Sequence, residues 1–196
     1  MEALQTDEEL ARAYGYALIG RLFYGPPDPL LRRNVAEAGT AAADGALAET
    51  WEALRAALEH SDDATLHQEY DDLFVSVGKA PVTLYTSAYA SPAAPDRHLV
   101  QLRDELAGYG LARRMAVGEM EDHLAGVCDV MRWLIEMRQG LPAERRFFLR
   151  NIAPVAAPLT QAILAQPAAQ FYAIVARFAA AFFHVESEAF ELGDPP

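Results

Sequence analysis

Apolar residues recur at steps of three and four along most of this chain, the spacing that places side chains on one face of an α-helix. Alanine is abundant whereas valine, isoleucine and threonine are sparse, so local propensities favour helix over strand. A length of 196 residues fits one domain. The sequence therefore predicts an all-α fold, a single-domain bundle of about eight helices over residues 1–196.

Capping residues, glycines and prolines mark where the predicted helices begin and end. Residues 6–9 have the form of a capping box, and the helix behind them stops at Gly25. The second helix ends near Gly39 and the third ends after Leu58. The fourth helix ends at Gly78, and its apolar face carries Leu66, Tyr70, Leu73, Phe74 and Val77. One later helix follows Asp96 and another begins at Glu119. Residues 142–191 hold two or three further helices, broken around Pro154, Pro158 and Pro167.

Residues 78–95 lose the helical period and carry prolines at positions 81, 92 and 95. This is the longest irregular stretch of the chain. Long loops inside compact domains are often functional. We therefore expect part of the functional site to lie here.

The formal net charge is −12, from 28 acidic and 16 basic residues. A protein that grips phosphate backbones normally has the opposite balance, so nucleic acid is disfavoured as a partner. The acidic surface suits a basic partner, although solubility explains it more simply. Charge alone does not decide between the two.

Cysteine usage and hydropathy indicate where the protein works. Cys128 is the only cysteine, so no intramolecular disulfide can form, which fits a reducing compartment. The N-terminal residues are acidic and lack an apolar signal core, and no stretch approaches about 20 uninterrupted apolar residues. We expect a cytoplasmic protein without membrane insertion.

Common enzyme signatures are missing from the sequence. There is no glycine-rich phosphate loop, no Gly-x-Ser-x-Gly turn and no His-Glu-x-x-His pair. Cys128 lies in a helical apolar stripe, where a buried thiol is expected rather than a nucleophile. His60, Asp63 and His67 have a spacing compatible with metal binding, but a solvated turn between two helices explains them more simply.

Residues 119–123 (Glu-Met-Glu-Asp-His) form the densest polar cluster. In a helix that begins near Gly118, Glu119 and His123 share a face, so the carboxylate could orient or protonate the imidazole. The acidic side chains could equally complement the positive end of the helix. Spacing alone leaves both interpretations open.

The loop after Gly78 contains Tyr85, Ser87 and Tyr89, and Tyr70 lies on the helix before it. Tyrosine and serine are adaptable contact residues, because a tyrosine ring buries apolar area while its hydroxyl finds a polar partner. Such a loop can line a groove for an extended peptide. The alternative is that the tyrosines pack against the bundle.

At these residues the sequence resembles the TorD/DmsD family, relatives of the NarJ-type chaperones. The family pattern Glu-Tyr-x-x-Leu-Phe, a glycine and Pro-x-x-Leu-Tyr-x-Ser-x-Tyr is matched by Glu69, Tyr70, Leu73, Phe74, Gly78, Pro81, Leu84, Tyr85, Ser87 and Tyr89. Its second pattern, Glu-Pro-x-Asp-His, is matched by Glu119, Asp122 and His123. The likeness spans most of the chain, and residues 148–154 and 171–172 resemble the family's C-terminal helices.

The chain departs from the family pattern at four positions. Met120 replaces the proline of the second pattern, and Thr86 stands where glutamate is common. Asn151 and Val155 stand where the family often has histidine and tryptophan. These departures indicate a divergent branch.

The resemblance implies a chaperone that is not itself an enzyme. Its partner would be the apo catalytic subunit of a molybdopterin oxidoreductase, bound through its N-terminal leader, often a twin-arginine signal, until the molybdenum cofactor is inserted. The chaperone would bind no cofactor stably, with possible transient contact with molybdopterin guanine dinucleotide or a guanine nucleotide. It would be a monomer or a helix-exchanged dimer.

The residues expected at the client-binding region are Tyr70, Tyr85, Ser87, Tyr89, Glu119, Asp122 and His123. The tyrosines and Ser87 would make contacts and hydrogen bonds, while Glu119 and Asp122 would accept from arginine. Two other classes stay open. One is a helical metal- or cofactor-binding enzyme built on Glu119, Asp122 and His123, with His67 or His184. The other is a plain helical adaptor for a folded protein.

Overall fold

The structure is a computed structural model that describes residues 6–39, 45–75, 78–113 and 118–192. Within these ranges the chain forms ten α-helices and one π-helical turn, with a single isolated antiparallel bridge and no longer strand pairing. The all-α prediction is confirmed. The helix count is slightly higher than the predicted eight or so.

The ten helices of the described residues are named in chain order. They are α1 (Asp7–Tyr24), α2 (Pro29–Glu37), α3 (Ala46–His60), α4 (Asp63–Tyr70), α5 (Ser87–Ala90), α6 (Pro95–Gly108), α7 (Leu124–Glu136), α8 (Leu141–Asn151), α9 (Ala153–Leu164) and α10 (Phe171–Leu192). The π-helical turn, Asp71–Val75, continues α4.

Several helix starts have the caps that the sequence predicts. Thr6 and Glu9 form the reciprocal hydrogen bonds of a capping box at the start of α1. The Asp28 carboxylate accepts from the Leu31 N–H at 2.8 Å, and Pro29 is the first residue of α2. These local signals placed the first two helices correctly.

The predicted helix starting at Glu119 is wrong at its beginning. Helix α7 begins at Leu124 with His123 as its N-cap, and residues 118–123 form a turn in front of it. Glu119 and His123 therefore do not share a helix face. The acidic residues that indicated a first helical turn belong to the loop that leads into α7.

Three further boundaries differ from the sequence prediction. The irregular stretch 78–95 contains the four-residue helix α5. Helix α4 ends at Tyr70 in a π-helical turn, and Val77, assigned to that helix, lies outside the described residues. Pro158 lies inside α9 and does not break it. The other two predicted breaks are correct, because α8 ends and α9 begins just before Pro154, and Pro167 lies in the connection to α10.

The chain divides into two compact units, each built from two separate segments. The first unit comprises residues 1–20 and 84–155, and the second comprises residues 21–83 and 156–196. Neither unit is continuous in sequence, so no single boundary divides the chain. The single-domain organisation stays a prediction.

The first unit buries one face of α7. This face carries Leu124, Val127, Cys128, Met131, Leu134 and Ile135. Gly20 of α1 lies against it, and a Cβ added there would meet the Ala125 carbonyl oxygen at 3.3 Å. Cys128 is fully buried, and burial raises the pKa of its thiol, which agrees with the predicted buried role.

The second unit packs α10 against α3 and α4. The ring of Trp51 on α3 lies 5.9 Å from that of Phe178 on α10, measured between ring centroids. Phe23, Tyr70, Phe74 and Tyr172 form a second aromatic cluster. Large aromatic side chains of this kind dominate the energetics of a small core.

No single helix of the described ranges is both long and apolar enough to cross a membrane. One pair of consecutive helices, α8 and α9, meets the length and composition requirement only when the two are taken together.

Candidate functional site

Two loops of the first unit meet and hold most of the predicted site residues. We call this the two-loop site, and it comprises residues 84–90 and 118–123. The Leu124 N–H donates to the Leu84 carbonyl at 2.8 Å, and the Thr86 N–H donates to the Asp122 carbonyl at 2.7 Å. These bonds form the isolated antiparallel bridge between Tyr85 and His123. Backbone pairing therefore brings together side chains that are more than 30 positions apart in sequence.

Tyr85 and Glu119 form the accessible polar contact of the two-loop site. The Tyr85 hydroxyl donates to Glu119 Oε2 at 2.5 Å, and both side chains are half-buried. The Glu119 carboxylate, together with partial burial, raises the pKa of Tyr85 to about 12. No second side-chain hydrogen bond to this carboxylate occurs within the described residues, so Glu119 keeps acceptor capacity for a donor from outside.

Asp122 and Ser87 lie beneath this contact. Asp122 is 1% exposed, and its Oδ2 accepts a hydrogen bond from the buried Ser87 hydroxyl. Its other oxygen, Oδ1, is buried without a hydrogen-bond partner in the described part of the chain. A buried carboxylate with one hydrogen bond is incompletely compensated. In this conformation Asp122 holds the loop through Ser87, and its predicted role as an acceptor for arginine stays a prediction.

His123 closes the N-terminal end of α7. Its Nδ1 accepts from the Ala125 N–H at 3.2 Å, so the neutral ring carries its proton on Nε2. Burial lowers the pKa of His123, with Glu119 and Asp122 opposing that shift. The ring stands edge-on to Tyr85, with centroids 5.5 Å apart. The predicted Glu119–His123 pairing on one helix face is thus replaced by a Tyr85–His123 ring contact.

The remaining two predicted residues differ in their placement. Tyr89 lies on α5, two residues beyond Ser87, and is half-buried. Tyr70 belongs to the second unit, where its hydroxyl lies 3.2 and 3.1 Å from the carbonyl oxygens of Phe23 and Tyr24 at the end of α1. Six of the seven predicted residues, Tyr89 among them, therefore lie in the two-loop site, while Tyr70 has a packing environment of its own.

Glu69 has a structural role that sequence reasoning did not assign. Its buried carboxylate accepts from the backbone N–H groups of Gln170, Phe171 and Tyr172, at 2.9, 3.1 and 2.7 Å. These are free donors at the start of α10, where negative charge is stabilising. The Glu69-Tyr70 pair of the family pattern was the only signal for this role in the sequence. The helix that Glu69 caps lies about a hundred residues away, so the pair could not indicate its partner.

His98 of α6 is a second group that the sequence analysis missed. It is buried, and its Nε2 has no hydrogen-bond partner within the described ranges. Burial lowers the pKa of His98, while the Asp122 charge acts in the opposite direction. The helical period predicted only an apolar face at this point of α6. His98 was missed because a single histidine does not form a sequence pattern.

The second candidate cluster, His60, Asp63 and His67, forms no metal site. His60 ends α3, Asp62 caps α4, and each imidazole Nδ1 lies 2.7 Å from a carbonyl oxygen of its own helix. Asp63 pairs with Arg32. Across the described ranges, no three His, Cys, Asp or Glu side chains are grouped so that they could hold a metal ion.

Comparison with known proteins gives the family. The sequence model of the nitrate reductase delta subunit family matches residues 40–184. This match covers most of the chain and includes both motifs of the two-loop site. The chain belongs to the nitrate reductase delta subunit family, which confirms the resemblance to the NarJ-related chaperones.

A solved structure supports the fold. The chain is similar to a crystal structure from Archaeoglobus fulgidus that is provisionally described as a redox enzyme maturation protein. The two share 18% sequence identity with a TM-score of 0.54, over 95% of this chain and 98% of that one. At this identity the likeness establishes the fold only. No curated protein matches the sequence.

Proposed function

We propose that the protein is a maturation chaperone for a molybdopterin-dependent oxidoreductase and that the two-loop site binds the client. Family membership supports this class of function. The proposed partner is the apo catalytic subunit, which the chaperone holds during cofactor insertion and then releases. This function requires no bond-making by the chaperone itself.

The observation that carries the proposal is the Glu119 carboxylate. One of its oxygens is fixed by the Tyr85 hydroxyl, and the other lacks a side-chain hydrogen bond from the described residues. A carboxylate held in this way suits a guanidinium group, whose planar fork donates two parallel hydrogen bonds. We therefore assign Glu119 as the acceptor for an arginine of the client's leader.

Neighbouring side chains would supply the apolar part of the contact. Met120 is 42% exposed, and the Tyr85 and Tyr89 rings are half-buried. Methionine and tyrosine adapt to varied partners because their side chains are large and tolerate several contact geometries. Met120, which departs from the family pattern, would thus contribute directly to client contact.

Three expectations complete the proposal and rest on the family resemblance. The protein would act in the cytoplasm, it would not catalyse a reaction, and its contact with molybdopterin guanine dinucleotide or a guanine nucleotide would be transient. Tyr70 would act indirectly, because its hydroxyl is already used at the end of α1.

The test is affinity purification of the tagged protein from its native host grown anaerobically, followed by mass spectrometry. We expect recovery of the catalytic subunit of a molybdopterin oxidoreductase in an immature form. The Glu119→Gln variant should recover less of it, since it removes the negative charge and keeps the shape. Glu59→Gln, a charge change on an exposed residue of α3, is the matched control.

Two results would contradict the proposal. If only unrelated proteins came down while a metal or small molecule co-purified, the chaperone function would be wrong and catalysis would be tested next. If the client came down equally with wild type and Glu119→Gln, the function would stand but the assignment of Glu119 would not.

A further inference from the structure

A cleft in the first unit, separate from the two-loop residues, carries two arginines that share one carboxylate. The cleft has a volume of about 490 Å³ and is lined by Gln101, Asp104, Glu105, Gly108 and Tyr109 of the α6 region and by Arg146 and Arg150 of α8. This volume lies within the range of small-molecule sites, roughly 300 to 1,000 Å³.

Arg146 and Arg150 stand four residues apart on α8, so both side chains lie on one helix face. Their side chains are 55% and 49% exposed, while that of Glu105 is 7% exposed. The carboxylate therefore lies at the base of the cleft and both guanidinium groups at its opening. The two arginines offset the charges of Asp104 and Glu105, so the lining has no formal net charge in a protein whose net charge is −12.

The pairing between these groups is loose. Arg150 Nη1 lies 3.4 Å from Glu105 Oε2, and Arg146 Nε lies 3.9 Å from Glu105 Oε1. Optimal charge-assisted contacts of this kind are about 2.7–2.9 Å. Within the described residues, Glu105 therefore accepts a hydrogen bond from Arg150 and attracts Arg146 only through its charge, since its Oε1 has no hydrogen-bond partner. Most N–H donors of the two arginines, five on each, are not used by Glu105.

Other neighbours fix the arrangement and leave room in it. Arg146 Nη2 donates to the Tyr109 hydroxyl at 3.1 Å, and Asn151 Nδ2 lies 3.3 Å from Glu105 Oε2. Gly108 contributes no side chain, and a Cβ added there would meet no atom within 4 Å. The wall of the cleft is therefore open beside two arginines that are already held in place.

We propose that this cleft binds an oxyanion, a phosphate or a carboxylate group, between Arg146 and Arg150. The planar fork of arginine matches both groups, and orientation by Glu105 and Tyr109 lowers the entropy lost on binding. Asp104, exposed at the rim, opposes the negative charge of the ligand and limits its affinity. The site is independent of the proposed client contact at Glu119.

The test is nuclear magnetic resonance titration of the full chain with inorganic phosphate and, separately, with acetate. Saturable shifts of the arginine Nε–H signals of Arg146 and Arg150 are expected with at least one probe, and the probe that saturates at lower concentration identifies the chemistry. Arg150→Gln should weaken that binding about tenfold, the effect of losing hydrogen bonds to a charged group. Asp104→Asn should tighten it by about threefold.

Two control variants distinguish a specific anion-binding site from nonspecific electrostatic attraction of the anion to the protein. Arg132→Gln removes an arginine of α7 that pairs with Asp129 and Glu136, and it should leave binding unchanged. Arg150→Lys keeps the charge and loses the fork, so it should also weaken binding, and it guards against loss of folding in Arg150→Gln. The proposal is overturned if neither probe saturates or if Arg132→Gln weakens binding as much as Arg150→Gln.

Discussion

At the scale of single residues, the hydrogen bond from Tyr85 to Glu119 joins the two loops of the site through side chains. It connects a tyrosine that follows a buried loop residue with a carboxylate that keeps acceptor capacity for a partner. The same bond gives a spectroscopic signature that does not require the client.

The Tyr85 phenol should titrate late because Glu119 disfavours its anion. The pKa of Tyr85 in the folded protein is raised to about 12, so the hydrogen bond stabilises the fold at neutral pH. This stabilisation is lost as the pH rises from about 10, the ordinary pKa of tyrosine, through the pKa of the folded protein. Glu119→Gln should move the Tyr85 titration back towards about 10. Carbon-13 resonances of labelled tyrosine measure this, with Tyr85→Phe used to assign the signal. An unchanged midpoint in Glu119→Gln would contradict the contact.

His123 gives a pH dependence on the acidic side. Its folded pKa is lowered by burial, so the folded state binds a proton less readily than the unfolded state. Stability should be full above about pH 6.5 and fall as the pH drops below it, because protonated Nδ1 cannot accept from the Ala125 N–H.

Two substitutions at position 123 separate capping from charge. His123→Ala should lose about 1 kcal/mol of unfolding free energy at pH 7, whereas His123→Asn should keep the cap. The unfolding free energy of His123→Asn should also depend less on pH between about 5 and 8 than that of the wild type. His98 is present in all the proteins compared, so its titration does not account for a difference between them. Urea unfolding across this range is the measurement. Equal pH dependence in His123→Asn and wild type would exclude His123 as the source.

At the scale of elements, the start of α10 depends on Glu69, which lies at the end of α4. Its carboxylate accepts three backbone N–H groups of residues 170–172. The first family motif therefore has a structural explanation: Glu69 caps α10, and Tyr70 contacts the carbonyl end of α1.

Glu69→Gln should destabilise the fold by about 1.5–3 kcal/mol, the range for hydrogen bonds to a charged group. The substitution removes the charge and turns an amide N–H₂ towards backbone donors. Thermal and urea unfolding measure the loss, and Glu59→Gln on exposed α3 should change stability by less than about 0.5 kcal/mol. If the two variants were equally stable, Glu69 would not be the cap.

Local sequence signals predicted helices well where the boundary was local. The capping box at Thr6 and the Asp28-Pro29 start were both correct. The start of α7 was wrong because its acidic residues are used by other elements: Glu119 accepts from Tyr85 and Glu121 pairs with Arg103. Pro158 was misplaced as a helix break, because a helix interior can accommodate one proline at the loss of one hydrogen bond.

At the scale of the whole molecule, the fold class and family followed from the sequence because the helical period and the ordered motifs extend over most of the chain. The sequence predicted a cluster of seven residues, and all of them except Tyr70 lie in the two-loop site: Tyr85, Ser87, Tyr89, Glu119, Asp122 and His123. The geometry of the cluster was not predicted, because it depends on backbone pairing between residues 84–86 and 122–124, which carries no local signal. The arginine pair of α8 escaped notice for the same reason, since Glu105 lies on another helix.

Our central proposal is that this protein is needed to load a molybdenum cofactor into its client. The most direct measurement is molybdenum per catalytic subunit, by elemental mass spectrometry, in a client purified from a strain lacking this gene and from the same strain carrying it again. The account predicts low molybdenum occupancy without the gene and restored occupancy with it. Full occupancy in the strain that lacks the gene would contradict the account.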